Sequence, residues 1–395
     1  MKKQITIIGG GPSALLLAAF LDAEKFSITI YEKNKTTGRK FLVAGKGGFN
    51  LTHSEPINQL IKRYSPTNFL DKALLNFTNT NFRNWLDQIG IPTYIGSSKR
   101  VYPIEGIKPI AVLNAILNTL KEKGVNFKYE HTFSGWNNDN NPIINNKITP
   151  TDYTVFSLGG GSWKVTGSDG KWLDTFSKKG IKTKPFQASN CGYQINWKLN
   201  FIEKHEGTPL KNIAISCNTS IQKGEAVITT FGLEGNAIYG LSPQIREQLN
   251  TNSKATIFID FKPTLTLENV HSKLKTSIYK NTTQILKKEL KLSAPQIDLL
   301  KIYLSKESYL NTESLAKNIK NFPLEILNTA SIDEAISTVG GIDLNGISKN
   351  FEIKNISNQF CIGEMLDWDA PTGGYLLQAC ASTGVYLANY LNKNG

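Results

Sequence analysis

The chain has 395 residues, 40% of them apolar, with 45 Lys+Arg against 32 Asp+Glu and a formal net charge of +13. That length accommodates two or three domains, each with its own core, and no stretch reaches the apolar length that a membrane span requires. Four widely spaced cysteines (Cys191, Cys217, Cys361, Cys380) form no Cys-x-x-Cys pair, which argues against a disulfide framework or a metal site and fits a reducing cytoplasm.

The N-terminus is basic, then apolar, and breaks into glycines without a small-residue cleavage pattern. It reads as a buried strand rather than a signal peptide. Gln4–Gly9 is a β-branched run suited to a parallel strand buried on both faces. Gly9-Gly10-Gly11-Pro12-Ser13-Ala14 follows, satisfying G-x-G-x-x-G/A, and an apolar helical stretch covers Ala14–Leu21. A second strand, Ser27–Tyr31, ends at Glu32. In this pattern Gly9 permits the tight turn, Gly11 lets the backbone approach a pyrophosphate, and Ala14 allows close helix–strand packing. The helix N-terminus offers free N–H groups to phosphate. Glu32 suits ribose hydroxyls and disfavours a 2′-phosphate, so the expected ligand is FAD or NAD rather than NADP.

Further pieces favour the longer cofactor. Gly38-Arg39-Lys40 lies six residues beyond the acid and precedes a glycine-rich loop, Ala44–His53. A buried strand, Tyr153–Leu158, runs into Gly159-Gly160-Gly161-Ser162. Near the C-terminus a strand ends at Gly363-Glu364, and Ala370–Tyr375 opens a helix through Leu387 with Gly373-Gly374 at its start. Those glycines aim the helix's positive end at the flavin ring. The expected cofactor-binding set is therefore Gly9, Gly11, Pro12, Ser13, Ala14, Glu32, Lys33, Arg39, Lys40, Gly159, Gly160, Gly363, Glu364, Gly373, Gly374, Tyr375 and Leu376. No second G-x-G-x-x-G follows, so NAD(P)H is expected only as a transient reductant.

Several of these stretches resemble one known family. GGGPSALLLA, GRKFLVAGKGGFNLTHSE, RVYPIEGIKPIAVLNAIL, FSLGGGSWKVTGSDG, STVGGIDL and GEMLDWDAPTGGYLLQACASTG are similar to the BaiN/YhiN-like flavoproteins, a group of NAD(P)/FAD-dependent, aminoacetone-oxidase-like enzymes. The resemblance spans most of the chain. It implies FAD contacts at Ser13, Glu32, Arg39, Lys40, the backbone near Thr132, Glu364 and the Gly373–Leu376 turn. Where much of the family has Arg-Cys-Asn, this chain has Gly48-Phe49-Asn50, so that cysteine cannot carry chemistry here. The stretch Thr230–Asn236 departs too, as in a sub-branch.

The layout expected is an α/β, Rossmann-like FAD domain of the two-dinucleotide-binding type, discontinuous over 1–182 and 336–395. An inserted β-barrel-like domain is expected over 183–265, with short runs such as Tyr193–Trp197 and Ala255–Phe261, and a helical subdomain over 266–335. The catalytic candidates are Lys46, Asn50, Asp367 and Tyr375 from the FAD domain and Glu234 and Tyr239 from the insert. Asp369 flanks Trp368 opposite Asp367, and at most one of the two aspartates is expected to face the ring.

Charge adds a partner. Net charge is +9 over residues 1–125, +6 over 126–335 and −2 over 336–395. The densest cluster is Lys273, Lys275, Lys280, Lys287, Lys288 and Lys291, with Glu289 alone among them. Such a cluster attracts RNA; it also fits a solvated lysine face in a chain rich in Lys, Asn and Ile. The function expected is an FAD-dependent oxidoreductase. The resemblance extends it to reduction of a uracil C=C in structured, ribosomal RNA, giving dihydrouridine. The alternatives are a flavin oxidoreductase or oxidase acting on a small molecule, and a flavin-bound RNA-binding factor without turnover.

Overall fold

The computed structural model describes residues 1–43 and 48–395. They group into two compact units, 1–187 with 336–395, and 188–335.

The first unit is built on a five-stranded parallel sheet. Its order is Gln359–Cys361, Tyr153–Phe156, Lys3–Ile8, Phe26–Glu32, Asn126–Tyr129. The strand nearest the N-terminus is central, and its Ile5, Ile7 and Ile8 are buried, as a strand covered on both faces must be. The strand expected near the C-terminus takes the edge next to Tyr153–Phe156, so both chain ends build one sheet.

The first helix runs Pro12–Phe20, two residues earlier than the apolar run suggests. Proline at the first helical position costs nothing, because its missing N–H would have no partner there. The helix stops where Leu21 turns extended. It packs on the last helix, Tyr375–Asn394, at Gly384, where a Cβ would sit 2.4 Å from the Ser13 carbonyl. A third helix, Pro109–Glu122, buries Val112, Leu113, Ile116 and Leu120 at helical spacing. Thr52–His53, Arg100–Pro103 and Thr93–Ile95 form a small antiparallel sheet, and Phe133–Trp136, Pro142–Ile144 and Lys147–Ile148 form a three-stranded meander. The chain leaves the unit through Thr183–Ser189 and returns through Ser337–Ile342, two strands of one sheet.

The second unit holds a seven-stranded sheet. Its two terminal strands, Phe322–Ile326 and Asn328–Thr329, are separated only by Leu327. The sheet therefore curls until its ends share one bent segment. Five helices between Leu267 and Lys320 bury Val270, Leu286, Leu300 and Ile319 in the same core as sheet residues Ile215, Ile257 and Phe322. The strand expected over Tyr193–Trp197 is only Tyr193–Gln194. The Trp197 N–H turns back to the Ile195 carbonyl (3.0 Å) and ends the ladder.

Candidate functional site

The first unit has a cavity of about 410 Å³ where the central strands end. Gly9 through Pro12, Glu32, Lys33, Arg39, Lys40, Thr132, Gly159 and Glu364 all line it. These residues come from segments spread along most of the chain, so only folding gathers them.

Each glycine of the fingerprint has a distinct task. Gly9 has φ +100°, and a Cβ there would meet the Ser157 carbonyl oxygen at 2.3 Å. At Gly10 a Cβ would fall 2.0 Å from Thr37 Oγ1. At Gly11 it would meet nothing within 4 Å, so this residue presents bare backbone to open space. Gly11 also caps the first helix without any side-chain hydrogen bond. The first-turn N–H groups thus remain available to an anion. Ser13 and Ala14 are buried behind them.

Glu32 is fixed at the cavity wall by three donors. Gly10 N–H reaches Oε2 at 2.9 Å, while the Asn34 main-chain N–H (2.8 Å) and side-chain amide (2.7 Å) reach Oε1. A carboxylate offers about four acceptor positions, so capacity remains for ribose hydroxyls. Lys33 pairs with Asp169 at 3.0 Å. Arg39 donates to Asn34 Oδ1 (3.1 Å) and to the Val165 carbonyl (2.7 Å). Lys40 joins two distant segments, bonding Ser162 Oγ and Glu364 Oε2 at 3.1 Å each. Thr132 faces the cavity, yet its N–H donates to Asn145 Oδ1 (2.8 Å) and its carbonyl accepts from Asn145 N–H (3.0 Å).

The C-terminal glycines serve close approach. A Cβ on Gly363 would strike Ser13 Oγ at 2.2 Å, so the strand end and the first helix can meet only over a glycine. Gly160 passes Thr338 in the same manner, and the Gly159 carbonyl accepts from Trp172 Nε1 at 3.0 Å. Gly374, at φ +100°, caps the last helix with no side-chain bond and lies against the Thr52 backbone. Arg100 sits beside Gly373, and Leu376 is half-buried.

The catalytic candidates fall into separate groups. Lys46 lies outside the described residues. Asn50 Nδ2 is buried and makes no hydrogen bond among the described residues, as suits a donor awaiting a ligand. Asp367 is tied by Lys184 Nζ (2.6 Å) and the Gly340 N–H (3.0 Å). Asp369 receives the Ala370 N–H at 2.9 Å. Tyr375 donates its phenol to Glu55 at 2.6 Å. In the second unit Glu234 and Tyr239 meet. Burial first, then the Glu234 charge, push the Tyr239 phenol up to about 12. The four cysteines are free and buried.

Sequence reasoning passed over Glu55, Arg63, Thr338 and Lys184, and met Ser162 only as the end of a glycine stretch. Glu55 stands two residues from His53 in a stretch already singled out, but its partners lie 8 and 320 positions away. No local spacing announces them.

The glycine cradle, the open helix end and the fixed Glu32 fit a dinucleotide, and the glycine-capped start of the last helix fits a longer cofactor than NAD. Fold and site define a Rossmann-type flavoprotein, an FAD-dependent oxidoreductase. The family model described as the HI0933-like protein Rossmann domain matches residues 3–390, and the chain belongs to that family. Among curated proteins it is similar to a ribosomal RNA dihydrouridine synthase of Haemophilus influenzae, 24% identical with 98% of each chain covered. It is equally similar, at 24% identity and 98% coverage of each, to a 3-dehydro-bile acid delta(4,6)-reductase of Clostridium scindens. Among solved structures it resembles a 3-ketosteroid delta1-dehydrogenase from Sterolibacterium denitrificans, with TM-score 0.47, 12% identity and all of both chains covered. No described helix is long and apolar enough to cross a membrane, and no described His/Cys/Asp/Glu group has the arrangement of a metal site.

Proposed function

We propose that this protein reduces a C=C bond conjugated to a carbonyl, and that its substrate is a uracil base in ribosomal RNA. The two relatives named above share the first half of that description: a uracil C5=C6 and a steroid dienone are both electron-poor alkenes next to C=O. FAD, once reduced, supplies a hydride for such an alkene. The cofactor would be held by Gly9–Ala14, Glu32, Lys40, Glu364 and the Gly373–Leu376 turn. NAD(P)H, which has no second nucleotide fingerprint here, would act as a transient reductant.

The protein's own task is to deliver a proton to the carbon alpha to the carbonyl and to exclude water. Tyr239 has the chemistry for it: its phenol stays protonated at neutral pH and is held by Glu234. Asn50, whose buried Nδ2 has no hydrogen-bond partner among the described residues, is the candidate donor toward a carbonyl oxygen. Asp367, also a candidate, holds Lys184 Nζ and the Gly340 N–H.

The observation that carries the RNA half is the lysine set. Lys273, Lys275, Lys280, Lys287, Lys288 and Lys291 are all exposed, and among the described residues none makes an ion pair. Unneutralised lysines over some twenty residues form a surface for phosphates. The test is reduction of ribosomal RNA lacking dihydrouridine, with NADPH and the purified protein, read by nucleoside mass spectrometry. Dihydrouridine formed at one site supports the proposal. The equal similarity to the bile-acid reductase supports a small-molecule enone reductase as second reading. NADPH oxidation driven by a dienone steroid, with no product in RNA, would establish that reading instead.

A further inference from the structure

The described residues hold a densely bonded charge cluster that the cofactor cavity does not use. Glu55 is buried to 4% exposure. Arg63 grips it with both arms, Nε to Oε1 at 3.1 Å and Nη2 to Oε2 at 2.9 Å. Tyr375, the first residue of the last helix, gives its phenol to Oε1 at 2.6 Å. Tyr64 hydroxyl donates to the Tyr375 carbonyl at 2.9 Å, and the His53 ring stacks on Tyr375 at 5.0 Å and 20°. Asn79 Nδ2 pins the loop by donating to the carbonyls of His53 and Glu55. Tyr375 is thus held at its hydroxyl, its ring face and its main chain.

We propose that Glu55 and Arg63 are positioning residues, a charge-neutral clamp that fixes the first turn of the last helix and sets the field where the flavin ring would lie. This rests on the FAD reading above. That helix starts at Gly374, which has no side chain to cap it, and an uncapped N-terminus presents its positive end to whatever lies beyond it. A carboxylate bonded directly to its N–H groups would cancel that positive end. Glu55 instead reaches the helix through a phenol and carries its own counter-ion. Glu55 is buried and the Arg63 side chain is 45% exposed, so removing Arg63 leaves a buried charge uncompensated, while removing Glu55 leaves a cation that solvent partly screens. With the ring bound at that helix end, loss of Glu55 would leave a cation on its side, which favours the more negative, reduced flavin. Loss of Arg63 leaves an anion, which disfavours it.

The experiment measures the midpoint potential of bound FAD, by dye equilibration, in the full-length protein and in Glu55→Gln, Arg63→Gln and the double variant. Glu55→Gln keeps an acceptor for Tyr375; the Arg63 side chain is 45% exposed, so Arg63→Gln tests the sign even where Glu55→Gln is not recovered. The expected result is a potential raised in Glu55→Gln, lowered in Arg63→Gln and restored toward wild type in the double variant. FAD bound at an unchanged potential in both single variants, or two shifts of the same sign, overturns the clamp alone. A wild-type protein that takes up no FAD overturns the reading beneath it as well.

Discussion

The phenol of Tyr375 donates to Glu55 Oε1 at 2.6 Å, a bond between residues 320 positions apart. Hydrogen bonds to a buried charged group contribute about 1.5–3 kcal/mol. Tyr375→Phe removes this one and leaves the Arg63 grip on Glu55 intact. The expected outcome is a loss of stability of that size in urea denaturation at neutral pH, with unchanged m-value. A variant as stable as wild type would show that the phenol is not bonded in solution.

The fingerprint glycines should separate binding from folding. Gly11 has φ −78° and ψ 177°, extended backbone open to any residue, and its Cβ would meet nothing. Gly11→Ala should therefore fold with wild-type stability and lose FAD on gel filtration, because the methyl occupies space meant for phosphate. Gly363→Ala drives a Cβ to 2.2 Å from Ser13 Oγ and should lower stability by ~1–3 kcal/mol. Thermal melts of the apoprotein distinguish the two.

Acid should weaken the fold in two steps. Burial, set against the nearby Glu55 charge, holds the His53 imidazole below its usual 6.5. Burial alone would raise the Glu55 carboxyl, but the hydrogen bonds from Arg63 and Tyr375 and the Arg63 charge hold it below its usual 4.5. In both cases the unfolded chain binds the proton more readily, so stability rises with pH. The His53 contribution is present above pH 6.5 and is lost as pH falls through its lower folded value. The Glu55 contribution is present above pH 4.5 and is lost as pH falls through its own. Denaturation midpoints measured between about pH 3 and 8 should flatten over the upper window in His53→Gln and over the lower in Glu55→Gln.

Charge reversal on the second unit tests the proposed RNA surface without altering a residue of the nucleotide cavity. Lys273, Lys275, Lys287 and Lys288 are exposed on two helices, Leu267–Lys275 and Thr282–Lys288. Replacing all four by Glu should leave FAD content unchanged and lower the melting temperature only modestly, because each lysine sits in the last turn of its helix, where an anion opposes the dipole. RNA affinity should drop, and the slope of log K against log salt should lessen by about 0.7 for each phosphate that is no longer neutralised. Filter binding at several salt concentrations reads both, and an unaltered slope would remove these lysines from the interface.

The nucleotide half of this protein is legible before any folding is considered. Its signals are local: a β-branched run, glycines at fixed offsets, a helix and an acid, all within Lys3–Glu32, where backbone geometry follows from neighbouring residues. The return of the C-terminal strand and helix to the same domain is legible from the Gly363-Glu364 and Gly373-Gly374 stretches. Side-chain partnerships are not. Lys40 reads as a basic residue near phosphate, but its partners Ser162 and Glu364 lie 122 and 324 positions away. Tyr375 and Asp367 read as candidate active-site groups, but nothing in their spacing names their partners, Glu55 for the first and Lys184 for the second. A side chain's spacing along the chain shows which face it occupies. Which buried charge needs it as a partner depends on where distant segments pack, and that is fixed only when the whole core closes.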